Sequence, residues 1–233
     1  ENLGASRDQY ELSNFPYLNV GPLDLRDNSG SATELSYRSW FGRVAYSFDN
    51  RYLFQANIRY DGSSRFHSDY RWGVFPSFSA GWRLTEEDFI KNLNLTWLNN
   101  AKLRASWGQL GNQNIGLYPY QAMIESVSNY PFDKKTETVG YQQKAYANRD
   151  IKWETTTITD VGVDLQVFNG LSMTFDWYKK TTSDILRSSQ VSYLLGLSAP
   201  TVNNGEVENK GFEIAFNYNN MISDGVFKGL QYN

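Results

Sequence analysis

His67 is the one histidine of the chain, and it stands among Asp61, Ser63, Ser64 and Asp69. A histidine with a carboxylate and hydroxyls is the material of general-base and nucleophilic catalysis. That chemistry depends on hydrogen-bond geometry among the groups, which nearness along the chain does not supply. The plainer reading is a solvated histidine in a surface loop. The stretch DGSSRF (61–66) has a superficial likeness to a phosphate-cradling loop. A true one carries a Gly/Lys/Ser spacing between a strand and a helix, and no helix follows here. The segment reads instead as a turn at a strand end, with Asp61 and Gly62 turning the chain and Arg65 bonding nearby loop carbonyls. Glu86, Glu87 and Asp88 have the charge for a cation, but carboxylates at a turn are ordinarily solvated. The chain has no Cys, so thiol ligands and disulfides are excluded, and there is no His/Cys cluster for a transition metal. These residues point away from an enzyme and call for no metal or other cofactor.

Tyrosine is the other residue type with a chemistry of its own. The long segments 116–150 and 188–209 hold Tyr118, Tyr120, Tyr130, Tyr141, Tyr146 and Tyr193. Tyrosine stacks on sugar faces and offers a hydroxyl; it also simply packs loops together. If substrate or a partner is contacted anywhere, these loops are the place, because loops carry function on rigid scaffolds.

The elements that hold these loops are strands. Strict alternation of apolar and polar residues recurs over 42–48, 52–61, 72–84, 101–108, 160–167, 171–178 and 212–219, which predicts seven strands. An eighth is expected near Phe227, and residues 86–98 have room for one short helical turn. Asp49-Asn50-Arg51 and Asn169-Gly170 have the composition of tight hairpin turns, and Ser223-Asp224-Gly225 of another. Between them lie long connections at about 61–71, 109–152 and 188–206. Short and long connections thus alternate, as in an up-and-down sheet with short turns at one rim and long loops at the other.

Such alternation also fits a soluble sandwich, and two features favour a membrane barrel. Aromatics cluster near strand ends on the apolar side: Trp72, Trp82, Tyr52, Tyr60, Trp107, Trp177 and Tyr218. Trp72 and Trp82 bound the stretch WGVFPSFSAGWRL, about 33 Å apart along a strand. Tilted by about 40°, that projects to about 25 Å, the height of a barrel's apolar band. The opposite face carries Arg43, Arg59, Asp61, Arg83, Lys102, Arg104, Asp160, Asp164, Asp176 and Glu213, suited to a wet lumen. No stretch approaches the roughly 18 apolar residues of a transmembrane helix, a test that barrel strands escape. The formal net charge of -3 argues against a nucleic-acid surface. Pro76 lacks an N–H, so a bulge or a gap in the ladder is expected beside it.

Five blocks in order carry a resemblance: FGRVAYSFDNRYLFQANIRYDGSSRF (41–66), RWGVFPSFSAGWRL (71–84), KLRASWGQLGNQNI (102–115), WETTTITDVGVDLQVFNGLSMTFDWYKKTTSDIL (153–186) and NNGEVENKGFEIAFNY (203–218). Together they resemble consecutive barrel strands of SusC/RagA-type TonB-dependent outer-membrane transporters. The resemblance implies an all-β fold, with about seven to eight antiparallel strands of a large barrel, long extracellular loops and short periplasmic turns. It implies a Gram-negative outer-membrane location and import of oligosaccharides or peptides. The partners it implies are a SusD-like surface lipoprotein, outer-membrane lipid and, through an N-terminal region, the TonB complex. On this reading residues 1–35 are an extracellular loop region and 36–233 a partial barrel without the plug domain. The alternatives are a soluble all-β carbohydrate-binding module and a small outer-membrane barrel enzyme.

Overall fold

The computed structural model describes residues 2–7, 26–131, 137–143, 145–168, 170–192, 194, 196–221 and 231–232. It divides into two units, 1–36 and 37–233. In the first, Asn2–Arg7 pairs antiparallel with Arg26–Ser31. The second is built on one seven-stranded antiparallel sheet. Its strands are β1 (Tyr37–Phe48), β2 (Tyr52–Ser63), β3 (Trp72–Arg83), β4 (Leu98–Asn112), β5 (Glu154–Val167), β6 (Leu171–Ser183) and β7 (Val207–Tyr218). Each pairs with its neighbours in chain order, so the topology is up-and-down throughout.

The short-turn rim forms as the residues dictate. Asp49 and Asn50 have φ of 49° and 54°, and the Arg51 N–H bonds the Phe48 carbonyl at 2.9 Å. Two central residues at positive φ make the turn whose twist matches a hairpin, and Asp and Asn tolerate that region. Between β3 and β4, Leu84–Glu86 forms a 3₁₀ turn and Asp88–Lys91 one turn of α-helix, the short helix expected there. Asn169, the strand expected near Phe227 and the turn at 223–225 lie outside the described residues.

At the other rim every strand but β3 runs past its expected end. DGSSRF does not turn at Asp61 and Gly62; β2 continues to Ser63. The Trp72 indole lies over Gly62, where any Cβ would collide with it. Arg65 does bond loop carbonyls, those of Gln113 and Ile115. The long connections also hold structure of their own. Ile124–Pro131 pairs with Glu137–Gln143, and Leu186–Ser188 with Thr201–Asn203.

A small apolar core sits at this rim: Phe66, Phe75, Ile115, Ile151 and Trp153, with Leu186 against it. Phe75 comes from the polar-face register of β3. Its ring stands 5.4 Å from that of Trp153, and the Trp153 Nε1–H bonds the Arg71 carbonyl at 3.0 Å. Loops from three connections are thus tied to the sheet by one cluster.

There is no bulge at Pro76. The ladder to β2 passes through the Ile58–Pro76 pair with no register shift. The ladder to β4 stops at Ser77, beside Pro76. The expected gap is therefore present on one side only, which suits a residue without an N–H to give.

Candidate functional site

The ladders place seven residues in one row across the sheet: Val44, Ala56, Phe78, Trp107, Thr159, Lys179 and Lys210. On the face containing this row, the apolar residues form a continuous band. It is uncovered: Val44 is 65% exposed, Phe212 68% and Phe216 66%. A sandwich would bury such a face under a second sheet. The core residues at the rim do not lie beneath it.

Aromatic rings bound this band. At the long-loop end Trp40, Tyr60 and Trp72 stack on one another, with ring centroids 4.8–5.8 Å apart, and the Arg38 guanidinium lies over Trp40 at 5.7 Å. At the short-turn end Tyr52 stacks with Trp82 and Phe48, each at 6.4 Å, and Trp97 meets Phe168 at 6.5 Å. Further along the sheet the band's upper residues are Trp107 on β4, Val161 on β5, Trp177 on β6 and Phe212 on β7; Tyr218 closes its lower edge on β7. Above Trp177 and Phe212 the same face turns charged, with Lys179 and Lys210 at 2.9 and 3.7 Å from the Glu208 carboxylate. Trp40, Trp97 and Phe168 escaped the sequence reading, while Phe48 ends the apolar stripe of the 42–48 strand without counting there among the girdle aromatics. Trp40 continues the even-numbered stripe of Gly42 and Val44, and that parity was the signal for it.

The band runs obliquely. Trp40 lies four residues above the Val44 to Lys210 row and Phe212 two below it. The upper edge therefore drops six residues over six strand steps. At about 3.3 Å per residue and about 4.8 Å per strand, the slope is about 35°. The lower edge, from Phe48 to Tyr218, drops four residues over the same steps, about 25° on the same spacings. An apolar band oblique to its strands is what a slab of lipid imposes on tilted barrel strands, whose usual tilt is about 35–45°.

The opposite face is polar and linked. Arg43 donates to the Gln55 side chain at 2.7 Å, Gln55 to Asn57 at 3.4 Å, and Asn57 to Ser77 at 3.1 Å. Arg104 gathers three carboxylates, Asp176 at 2.7 Å, Asp164 at 2.8 Å and Asp160 at 3.9 Å. The Arg104–Asp176 pair crosses directly over Gly162, where a Cβ would strike both groups. Same-face parity was legible in the sequence. Convergence of carboxylates from β5 and β6 on Arg104 of β4 needed the register.

Beside the short-turn rim, Glu87 accepts hydrogen bonds from the Tyr52 hydroxyl at 2.7 Å and the Trp82 indole at 2.8 Å. Arg51 adds an ion pair at 3.4 Å. The bond from Tyr52, then that from Trp82 and the Arg51 charge, hold the Glu87 carboxyl below its ordinary pKa. A carboxylate whose folded-state pKa is depressed adds stability above its unfolded value, about 4.3, and loses it as pH falls through the folded value. Acid unfolding monitored by tryptophan fluorescence is expected to begin at higher pH in Glu87→Gln than in wild type. Identical acid profiles would contradict this role.

In the loops, Tyr118 and Tyr120 come together edge to face at 6.5 Å. Tyr141 is 72% exposed on the separate 124–143 hairpin. Only the backbone of Tyr130 is described, opposite Thr138. The Tyr146 N–H bonds the Ser198 carbonyl at 3.3 Å, and Tyr193 lies outside the described residues. Of the groups weighed for catalysis beside His67, Asp69 meets the imidazole at 3.2 Å, while Asp61 and Ser63 are engaged by Arg59 and the Arg65 N–H. Asp61 and Ser63 are buried; Asp61 pairs with Arg59 at 3.2 Å, while His67 faces Asp69, Arg149 and Tyr120.

The model of the TonB dependent receptor-like β-barrel family matches residues 2–233. The chain belongs to the TonB-dependent receptor β-barrel family. It is 38% identical to the TonB-dependent receptor SusC of Bacteroides thetaiotaomicron over 215 residues, which are 90% of this chain and 21% of that protein. It is 36% identical to the TonB-dependent receptor P39 of Formosa agariphila over 201 residues, 85% of this chain and 19% of that protein. The chain therefore spans about a fifth of the length of these relatives. The structure of the RagAB peptide transporter superposes with a TM-score of 0.76 at 29% identity, over 90% of this chain and 23% of that one. The siderophore receptor PirA of Pseudomonas aeruginosa shares the fold alone, with a TM-score of 0.52 at 12% identity over 82% of this chain and 31% of that one. TonB-dependent receptors are β-barrels of the Gram-negative outer membrane, and the seven strands are consecutive staves of such a barrel. Their long connections are extracellular and their short turns periplasmic.

Proposed function

We propose that this chain forms part of the wall and outer rim of a transporter that imports oligosaccharides or peptides across the outer membrane. On this reading the transporter works with a SusD-like surface lipoprotein, draws energy from the TonB complex through an N-terminal region, and does no covalent chemistry. The observation that carries the reading is the oblique apolar band, bounded by aromatic rings, on a sheet whose other face is a connected polar wall. The relatives named as SusC and RagAB support it.

Within this reading Trp72, Tyr60 and the added Trp40 form the outer aromatic girdle, joined along its slope by Trp107 and Trp177. Trp82, Tyr52 and Tyr218 form the inner girdle, with Phe48, Trp97 and Phe168. Residues 1–35 belong to the extracellular side and 36–233 to the barrel. Tyr118, Tyr120, Tyr130, Tyr141, Tyr146 and Tyr193 are the candidates to touch substrate or the lipoprotein. The uncovered apolar band counts against a soluble carbohydrate-binding module, because an apolar face of this extent in water drives aggregation. The ion pair of Asp61 with Arg59 and the bond from the Arg65 N–H to the Ser63 hydroxyl engage two of the groups a His67 cluster would use, which counts against a barrel enzyme.

The test is isolation of the intact protein from outer membranes in mild detergent, followed by uptake assays in whole cells. A co-purifying surface lipoprotein, and uptake of peptide or oligosaccharide that stops when TonB is inactivated, are the expected results. Uptake independent of TonB would overturn the reading.

A further inference from the structure

His67 does not sit free in its loop. The Arg149 Nη2 lies 3.0 Å from its Nε2. The Asp69 carboxylate lies 3.2 Å from its Nδ1. The Tyr120 ring packs against it at 5.8 Å and an interplanar angle of 73°. A guanidinium has donors only, so Nε2 must accept from Arg149, and it can do so only while it carries no proton. The imidazole of this arrangement is therefore neutral, with its proton on Nδ1 toward Asp69.

The groups facing the imidazole are Ser68 and Asp69 on its own turn, with Tyr120 and Arg149 from the connection that precedes β5. Asp69 favours the charged imidazole and Arg149 the neutral one. The contact joins two different connections, 64–71 and 113–153. Its neighbours in sequence are anchored independently: Phe66 and Ile151 are both 0% exposed in the rim core. Loss of the His67–Arg149 bond would leave that core and the strands in place, and would loosen residues 145–150 together with the segment of Tyr118 and Tyr120, whose Pro119 carbonyl accepts from the Asn148 N–H at 2.9 Å.

We propose that His67 and Arg149 form a pH-sensitive latch between these two extracellular connections. While Nε2 carries no proton, Arg149 donates to it and the latch is closed. Once Nε2 takes a proton, the bond is lost and a guanidinium faces an imidazolium.

The experiment is hydrogen–deuterium exchange on the intact protein in lipid nanodiscs at about pH 8 and about pH 5.5, corrected for the intrinsic pH dependence of exchange. Residues 145–150, whose Tyr146, Asn148 and Asp150 N–H groups are hydrogen-bonded, are expected to exchange about tenfold faster at the lower pH, the loss of one hydrogen bond to a charged group. Residues 154–167 serve as the internal control and are expected to hold their protection. In His67→Gln the amide oxygen can accept from Arg149 at both pH values, so the acid-induced increase should vanish while protection at the higher pH is kept. Equal corrected exchange of 145–150 at the two pH values in wild type would overturn the proposal. So would a His67→Gln variant that keeps the full increase, which would assign the change to another group.

Discussion

Ala105→Arg is expected to destabilise the membrane-embedded protein by about 2–4 kcal/mol, and Ser106→Arg by less than about 1 kcal/mol. The two residues are neighbours on β4 and both are exposed, so they differ in little except the face they occupy. Ala105 pairs with Ala80 and Val161 inside the apolar band, between Leu103 and Trp107. An arginine there must carry its charge into hydrocarbon or bend the lipid toward itself. Ser106 pairs with Ser79 and Asp160 on the polar face, where an arginine meets water and a carboxylate. Val163 and Asp164 are a less suitable pair, although they alternate in the same way. Asp164 is held at 2.8 Å by Arg104, so Asp164→Arg would lose that bond and set two cations together. Equilibrium unfolding in lipid vesicles measures the difference. Equal costs at 105 and 106, or a larger cost at 106, would count against the assignment of faces.

Phe66→Ala is expected to cost about 3–5 kcal/mol, the usual range for emptying a buried phenylalanine site. Its side chain is fully buried and packs on the Trp153 indole at 5.1 Å. Three connections meet in this core: Phe66 comes from the one after β2, Ile115 and Ile151 from the one before β5, and Leu186 from the one after β6. The cavity should therefore loosen loops rather than staves. Limited proteolysis within 113–150 should speed up in Phe66→Ala, while the strands keep their protection. Phe66→Leu conserves more of the volume and should cost less than about 1.5 kcal/mol. An alanine variant as stable as wild type would mean that the rim core does not hold the loops.

The staves were legible in the sequence because lipid on one side and water on the other force a period of two. All seven predicted strands are present, and their short-turn ends fall within three residues of expectation. At the long-loop rim β3 begins at Trp72 as expected, and the other six strands run two to six residues further than the alternation reaches. In β1, β5 and β7 the ladder continues through Tyr37–Phe41, Glu154–Thr159 and Val207–Gly211. Above the apolar band both faces are wet, so alternation fades although the backbone still pairs. The same fading hid Trp40, because its strand seemed to begin at Gly42. Phe75 was hidden differently. Its parity assigned it to the polar wall, yet at the rim that wall is covered by loops and becomes a core. The Arg104 cluster and the Arg149–His67 contact join residues 72 and 82 positions apart, and spacing along the chain carries no sign of such meetings. Among the loop tyrosines, sequence located the segments but not the pairing of Tyr118 with Tyr120.

The account rests on β4 lying with one face in lipid and the other in the lumen. The chain has no Cys, so single cysteines placed at each position from 103 to 108 of the intact protein and spin-labelled meet no background from these 233 residues. In lipid bilayers, accessibility to oxygen is expected to peak at 103, 105 and 107. Accessibility to a polar nickel reagent is expected to peak at 104, 106 and 108. The two profiles should run in opposite phase with a period of two. Profiles without that period, or with the phases exchanged, would contradict the account.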